Sequence, residues 1–269
     1  MMRTTVLIPL HRSAPWRPMV EANIARLHEH CRIVVSDAHE HDDTLALVRE
    51  HVADLSNVTT VGARALAPGW VTHVNDLMAR AETEFAMWLP HDDEIGPEWI
   101  LDAERALDRR PDAAIACGHL ESSSHSDPDL AASLAADSVL ASRSRIRRLS
   151  RAIAHIEHGD PALLGMLFRG VMRRALVPPM PERDEHGSWS DIFWALRLLT
   201  RGAAVPTTAR YEKTWHRTST VQQWTDARDD RGQLRLDIDH ALAELPARTR
   251  AVVDWAARRR APGQRVGDR

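Results

Sequence analysis

Along the first third of the chain, short apolar runs alternate with stretches in which apolar positions recur every three or four residues. Thr4 to Pro9 is an uninterrupted run rich in β-branched residues, which predicts a strand buried on both faces. Residues 16–30 place Val20, Ile24 and Leu27 on one helical face. Arg32 to Ser36 predicts a second strand. Asp42-Asp43-Thr44 then opens a helix with Leu45, Val48 and Val52 inward, and its acidic first turn suits the positive end of a helix dipole. Val58 to Val61 predicts a third strand, and Pro68-Gly69 a loop before a helix over 70–81 with Val74 and Leu77 inward. Phe85 to Leu89 predicts a fourth strand. This alternation predicts a parallel, doubly wound α/β sheet. Such sheets bind ligands beyond the carboxyl ends of their strands. Attention therefore falls on His11 and Arg12, Asp37, and Pro90-His91-Asp92-Asp93.

The pattern is less regular further on. Pro97 to Arg109 predicts a helix and Ala113 to Cys117 a strand; residues 121–129 have loop composition. Residues 142–158 predict a basic helix with Ile146, Leu149, Ile153 and Ile156 on one side, its arginines 143, 145, 147, 148 and 151 forming a solvated face. Leu163 to Arg169 reads as a strand, 178–188 as a loop, and Asp191 to Thr200 as a helix with Ile192, Leu196 and Leu199 aligned. Ala203 to Thr208 and Tyr211 to Trp215 read as two final strands. From about residue 221 the chain turns helical and charged. The segment 233–260, with Ile238, Leu242 and Leu245 aligned, is expected to pack back on the domain, and 262–269 to be a frayed tail.

Composition narrows the class. The chain has 269 residues, 43% hydrophobic and 27% charged, which suits one large or two small globular domains. A net charge of −3 makes no electrostatic case for nucleic acid or an anionic membrane as partner. No apolar run approaches the roughly 18 residues of a transmembrane segment, and Val6 to Leu10 is too short for a signal-peptide core. Cys31 and Cys117 make neither a disulfide framework nor a four-ligand zinc site, so a cytoplasmic protein is expected. The cluster His28, His30, Cys31, His39 and His41 matches no zinc spacing. Nine tryptophans against one tyrosine are unusual. Trp99, Trp189 and Trp215 neighbour the candidate segments, where an indole stacks on a ring-shaped ligand or serves as a core anchor.

Four groups could carry chemistry. Adjacent carboxylates in Leu89-Pro90-His91-Asp92-Asp93-Glu94 repel at a strand end, which a divalent cation or a solvated helix-capping turn would relieve. Asp191 opens a helix that would keep it ionised, fit for a general base. Ser188 and Asp191 also have capping-box spacing. In Trp215-His216-Arg217, His216 could ligate a metal and Arg217 could neutralise phosphate. Asp37 could accept hydrogen bonds from a base or a ribose, or merely shape its turn.

Taken in order, these pieces resemble the inverting glycosyltransferases of family 2. VLIPLHR resembles that family's first strand, IVVSDAHEHDDT its second, and GWVTHVNDLMARAETEFAMWLPHDDEIGPEWI its run from an Asn-bearing helix to the Asp-x-Asp strand. SDIFWALRLLTRG resembles its catalytic helix. The resemblance spans roughly residues 4–220 and implies a GT-A-like fold. That fold is an α/β doubly wound mixed sheet with a Rossmann-like nucleotide half (1–95), an acceptor half (96–220) and a helical C-terminal extension (221–269). It implies transfer of a sugar from a nucleotide-diphosphate donor, UDP by family frequency, to an acceptor hydroxyl with inversion, assisted by Mn²⁺ or Mg²⁺. Pro9 and Leu10 would line the base pocket and Asp37 would contact the base. Asn75 would lie on the helix before the acidic strand, on the donor side. Arg12, His91 and Arg217 would also serve the donor. Asp92, with Asp93 and His216, would hold the metal, and Asp191 would take the acceptor proton. Three residues depart from the family pattern: Pro90 replaces the first acid of Asp-x-Asp, Val74 a common arginine, and Ser190 a common glutamate. These departures leave a second expectation, a catalytically weak or inactive nucleotide-sugar-binding protein of the same fold. The loop LHRSAPWRP lacks the glycines of a nucleotidyltransferase.

Overall fold

The apolar runs of the first third become four parallel strands. The computed structural model describes the chain apart from residues 39–41, 63–68, 123–131, 134–136, 158–161, 182–189, 214–230 and 260–269. In it β1 (Thr4–Leu10), β2 (Arg32–Asp37), β3 (Val58–Val61) and β4 (Phe85–Trp88) alternate with α1 (Arg17–Leu27), α2 (Thr44–His51) and α3 (Trp70–Ala79). Every residue of β1 and β4 is buried, as strands covered on both faces require. The strands stand in the order β3-β2-β1-β4, all parallel. The winding therefore reverses between β1 and β4, which opens a crevice at their carboxyl ends.

Beyond β4 the sheet is mixed. β8 (Val171–Arg173) lies antiparallel between β4 and β6 (Ala113–Ser122), and β9 (Ala203–Lys213) is parallel to β6. β5 (Asp93–Ile95) closes the path antiparallel to β9, and β7 (Ala132–Ser133) pairs β6. The path runs β3-β2-β1-β4-β8-β6-β9-β5. The link 89–92 between β4 and β5 reaches at most about 14 Å. The far end of the path must therefore curl back to the carboxyl end of β4.

Several expectations need correction. Tyr211 does not start a new strand: residues 203–213 form one strand with a register shift opposite Cys117/His119. Gly118 sits in that shift, and a Cβ there would lie 2.0 Å from the Ala209 carbonyl oxygen. Leu163 to Arg169 is helical over α6 (Ala162–Leu167), not a strand. A short apolar run buried on all sides carries no periodicity that separates the two. The expected helix over Pro97–Arg109 forms as α4, and so does the basic helix α5 (Arg145–Glu157), but Arg148 is not on a solvated face. Its Nε donates to the Leu199 carbonyl at 2.7 Å and its Nη1 to the Arg143 carbonyl at 3.1 Å. Arg148 thus satisfies a carbonyl near the end of α7 (Ser190–Arg201), and burial pushes its pKa down to about 10.

The segment 233–260 is two helices, α8 (Arg231–Ala241) and α9 (Ala247–Arg258), interrupted at Pro246. They pack back as expected, because Ile238, Leu242, Leu245 and Val253 join the same apolar core as the sheet. α8 lies against α7 and α9 against α5. Among the described residues no helix is long and apolar enough to cross a membrane.

Candidate functional site

Three strand ends meet at the crevice. Leu10 at the end of β1 lies opposite Asp37 at the end of β2, and the Leu89 N–H donates to the Leu7 carbonyl at 2.9 Å, so β1 and β4 stay joined past Trp88. There β4 turns: the Asp93 N–H donates to the Pro90 carbonyl at 3.1 Å, which leaves His91 and Asp92 at the centre of a tight turn. His91 Nδ1 lies 3.0 Å from the Ser13 hydroxyl, and that hydroxyl also accepts the His11 N–H at 2.8 Å. The imidazole thus bridges the loop after β1 and the turn after β4. Burial pushes His91 below its ordinary pKa, against the opposing pull of Asp92, the Pro9 carbonyl, Asp93 and Asp37. The structure therefore gathers Pro9, Asp37, His91, Asp92 and Asp93 around one ring.

The surroundings of these groups are buried and polar. Asp37 is fully buried, and Ser36 before it lies 2.8 Å from Nε2 of the buried His73. Asp42 ties the loop after β1 to the start of α2. Its two oxygens accept the Ala14 N–H at 3.1 Å and the Thr44 N–H at 3.0 Å. Arg12 is exposed in the same loop. Its φ of 49° is the one positive value among the described non-glycine residues.

Asp92 and Asp93 are adjacent but differ in every respect that matters for a ligand. Asp92 is half-buried, and among the described residues no hydrogen bond holds its carboxylate. Asp93 is fully buried, and its Oδ2 accepts Arg169 Nε at 2.7 Å and the Tyr211 hydroxyl at 2.9 Å. Burial disfavours the Arg169 charge, but Asp93 outweighs it and holds the guanidinium above its ordinary pKa. Burial and the Asp93 charge push the Tyr211 phenol far above its ordinary value, so it stays a donor. The carboxylate expected as a second metal ligand is thus engaged by a guanidinium and a phenol.

Asn75, on α3 (Trp70–Ala79), holds backbone with its amide. Its Nδ2 donates to the Met180 carbonyl at 3.0 Å and its Oδ1 accepts the Met180 N–H at 2.7 Å. Both polar atoms of the amide clamp the backbone that leads toward α7. Asp191 stands in the first turn of α7, half-buried, with Oδ1 accepting the Ile192 N–H at 2.9 Å. A helix N-terminus favours the ionised form of such a carboxylate. α7 is docked by Trp194, whose Nε1 donates to the Pro178 carbonyl at 3.0 Å and whose ring meets Trp88 edge-on at 5.0 Å. Trp88 ends β4, so the helix bearing Asp191 packs on the strand bearing the acidic turn. His216 and Arg217 lie outside the described residues, as do Ser188, Trp189 and Trp215. Trp99 is a core residue, buried against Tyr211 with Nε1 on the Arg169 carbonyl at 3.0 Å.

Among the described residues no three His, Cys, Asp or Glu side chains form a ready cage for a metal ion. One open carboxylate, Asp92, still suits a cation completed by phosphate oxygens that a ligand brings, which is how Mg²⁺ is commonly held.

Sequence reasoning missed Ser13, Asn23, Asp42, His73, Arg169 and Tyr211. Asn23 carried a signal: it is a polar residue on the apolar face of Val20, Ile24 and Leu27, and it is buried with them. Its Nδ2 donates to the Asp93 carbonyl at 2.8 Å and its Oδ1 accepts the Ile95 N–H at 3.3 Å. Tyr211 carried another, as the chain's one tyrosine.

The architecture is shared with solved glycosyltransferases. Residues 1–349 of TarS from S. aureus match with a TM-score of 0.63 at 17% identity, over 94% of this chain and 69% of that one. Glucosyl-3-phosphoglycerate synthase from Mycobacterium tuberculosis matches at 0.56 and 13%, over 91% and 82%. The mannosyltransferase PcManGT from Pyrobaculum calidifontis, solved with GDP-Man and Mn²⁺, matches at 0.54 and 18%, over 99% and 76%. The chain has the GT-A fold. No protein-family model and no curated protein matches the sequence.

Proposed function

We propose that the protein is a glycosyltransferase that moves a sugar from a nucleoside-diphosphate donor to an acceptor hydroxyl with inversion. The observation that carries this reading is the β1–β4 crevice, where Pro9, Asp37, His91 and Asp92 converge at the switch point of the sheet. Structures of the same fold hold UDP-GlcNAc, UDP and GDP-Man. In this reading residues 1–95 bind the donor, 96–220 the acceptor, and 221–269 form an extension. Pro9, Leu10 and Asp37 receive the base, and Arg12, His91 and Asp92 lie at the diphosphate, with Arg217 a further candidate there.

The chemistry asks for a base on the acceptor side. Asp191, ionised at its helix N-terminus, takes the proton of the acceptor hydroxyl as that oxygen bonds to the anomeric carbon. The bond from that carbon to the diphosphate oxygen breaks on the opposite face, and the nucleoside diphosphate leaves with the electron pair. A divalent cation, Mn²⁺ or Mg²⁺, held by Asp92 with His216 as a candidate second ligand, would neutralise charge on the leaving diphosphate.

Thermal denaturation with UDP, GDP and dTDP, each with and without Mn²⁺, tests the donor site. Ligand at about 100 times its dissociation constant adds roughly 2.7 kcal/mol, a shift of several degrees at this size. The expected result is a Mn²⁺-dependent shift with one nucleotide that disappears in Asp92→Ala. A second reading, a binding protein with little turnover, is favoured by Pro90 and the engaged Asp93, which leave the turn one open carboxylate. Nucleotide binding without donor hydrolysis or transfer would select it, and no shift with any nucleotide would overturn both.

A further inference from the structure

We propose that Arg169 and Tyr211 are positioning residues of the donor site, acting on Asp92 through Asp93. The proposal rests on the donor-site reading above. The Pro90–Asp93 turn is anchored on both flanks of Asp92. On one flank His91 is held by Ser13 across the crevice. On the other, Asp93 is held by Arg169 and Tyr211 on its side chain and by Asn23 on its carbonyl. Asn23 also receives the Ile95 N–H, so one side chain clamps both ends of β5. Trp99 seals the cluster with a hydrogen bond to the Arg169 carbonyl and an edge-on contact to Tyr211.

Such a cluster is a poor way to add stability. A buried carboxylate–guanidinium pair loses two hydration shells, and apolar residues of similar volume often serve a core as well or better. Its place beside the open carboxylate gives it another use. By neutralising Asp93, Arg169 leaves the Asp92–Asp93 pair with a net charge near −1, so Asp92 faces the donor without a like charge competing beside it. By holding β9 to β5, Tyr211 fixes a second segment. That segment is β9, in which Lys213 lies opposite Asp93. One buried network therefore sets the register between the acidic turn and β9.

Titration calorimetry of UDP into wild type, Tyr211→Phe, Arg169→Lys and Arg169→Met, with and without Mn²⁺, tests this alongside the ligand-free thermal midpoint. Groups behind a metal ligand typically change metal affinity about 10- to 100-fold when removed. Tyr211→Phe is expected to weaken UDP binding about ten-fold in Mn²⁺ and by less than about two-fold without it. Arg169→Lys, which keeps the charge, should retain more Mn²⁺-dependent affinity than Arg169→Met. Should Arg169→Met fail to fold, the other two variants decide. An unchanged Mn²⁺-dependent affinity in Tyr211→Phe, or an equal loss with and without Mn²⁺, means that the network is structural only and overturns the proposal. Wild-type protein that binds no nucleoside diphosphate overturns the donor-site reading, and this role with it.

Discussion

The two parts of the sheet are held together by different means. In β3-β2-β1-β4 the strands are all parallel, β1 and β4 are buried throughout, and among the described residues no buried salt bridge lies inside these strands; Ser13 and Asp42 anchor the loops beyond the strand ends. In β8-β6-β9-β5 the pairing is mixed, the strands range from three to eleven residues, and a charged pair lies inside. Asp92 and Asp93 straddle the seam. Asp92 ends the turn that leaves the first part, while Asp93 begins the strand that belongs to the second. The same residue type therefore does two things within one peptide bond: it offers a ligand site, and it locks the sheet that presents that site.

The largest effect that could sharpen this contrast is on chemistry. If the parallel part binds and the mixed part reacts, Asp191→Asn should lower turnover about 10²- to 10⁴-fold and leave UDP affinity within about two-fold of wild type. Steady-state transfer rates beside calorimetric UDP binding check it. Near-normal turnover would remove Asp191 as the base, and a parallel loss of UDP affinity would move it to the donor side.

The same contrast explains what was legible in the sequence. β1, β2 and β4 were readable because a strand buried on both faces must be a largely apolar run, and β3 from its β-branched residues. Asp37 and His91-Asp92 followed from position alone, since the switch-point rule points at strand ends. The mixed part hides its logic. The run at 163–169 is apolar whichever way it folds, and it is helical where it packs against α7 and β6. Arg148 and Arg169 look like surface arginines in sequence, and nothing local announces that Leu199 or Asp93 will receive them. Asn75 was noticed on the strength of resemblance, but its amide is taken by Met180, more than a hundred residues away. Partners that far apart in sequence leave no periodic trace.

Asn75 offers a smaller test of the seam. It lies on α3, in the parallel part, and clamps the approach to α7, in the other. Asn75→Ala removes two hydrogen bonds, each worth about 0.5–1.5 kcal/mol net, so a stability loss of about 1–3 kcal/mol is expected in urea unfolding. If the clamp serves α7, turnover should fall while UDP affinity holds. A loss of UDP affinity with little change in turnover would instead put the Asn75 amide on the donor and break the division of labour argued here.

The smallest expected effect concerns acid. Asp137 is a buried carboxyl at the foot of α5, with Oδ2 accepting His155 Nε2 at 2.7 Å and Arg151 Nε. Burial pushes this carboxyl up, but the hydrogen bonds from His155 and Arg151 outweigh it and hold it below the usual carboxylate range. A depressed folded value means that the stabilisation is fully present above the unfolded value of about 3.9 and is lost as pH falls through the folded value. Asp42, at the donor loop, is likewise held below the usual range, against burial, by its bonds to Thr44 and Ala14. It faces water more than Asp137 does, and solvent weakens such contributions. Asp137→Asn should therefore flatten the acid limb of the stability–pH curve below about pH 4, and Asp42→Asn should flatten it less. Urea midpoints measured stepwise into that range check the order. A reversed order would mean that the parallel part, with its anchors at the strand ends, depends more on buried charge than the mixed part does.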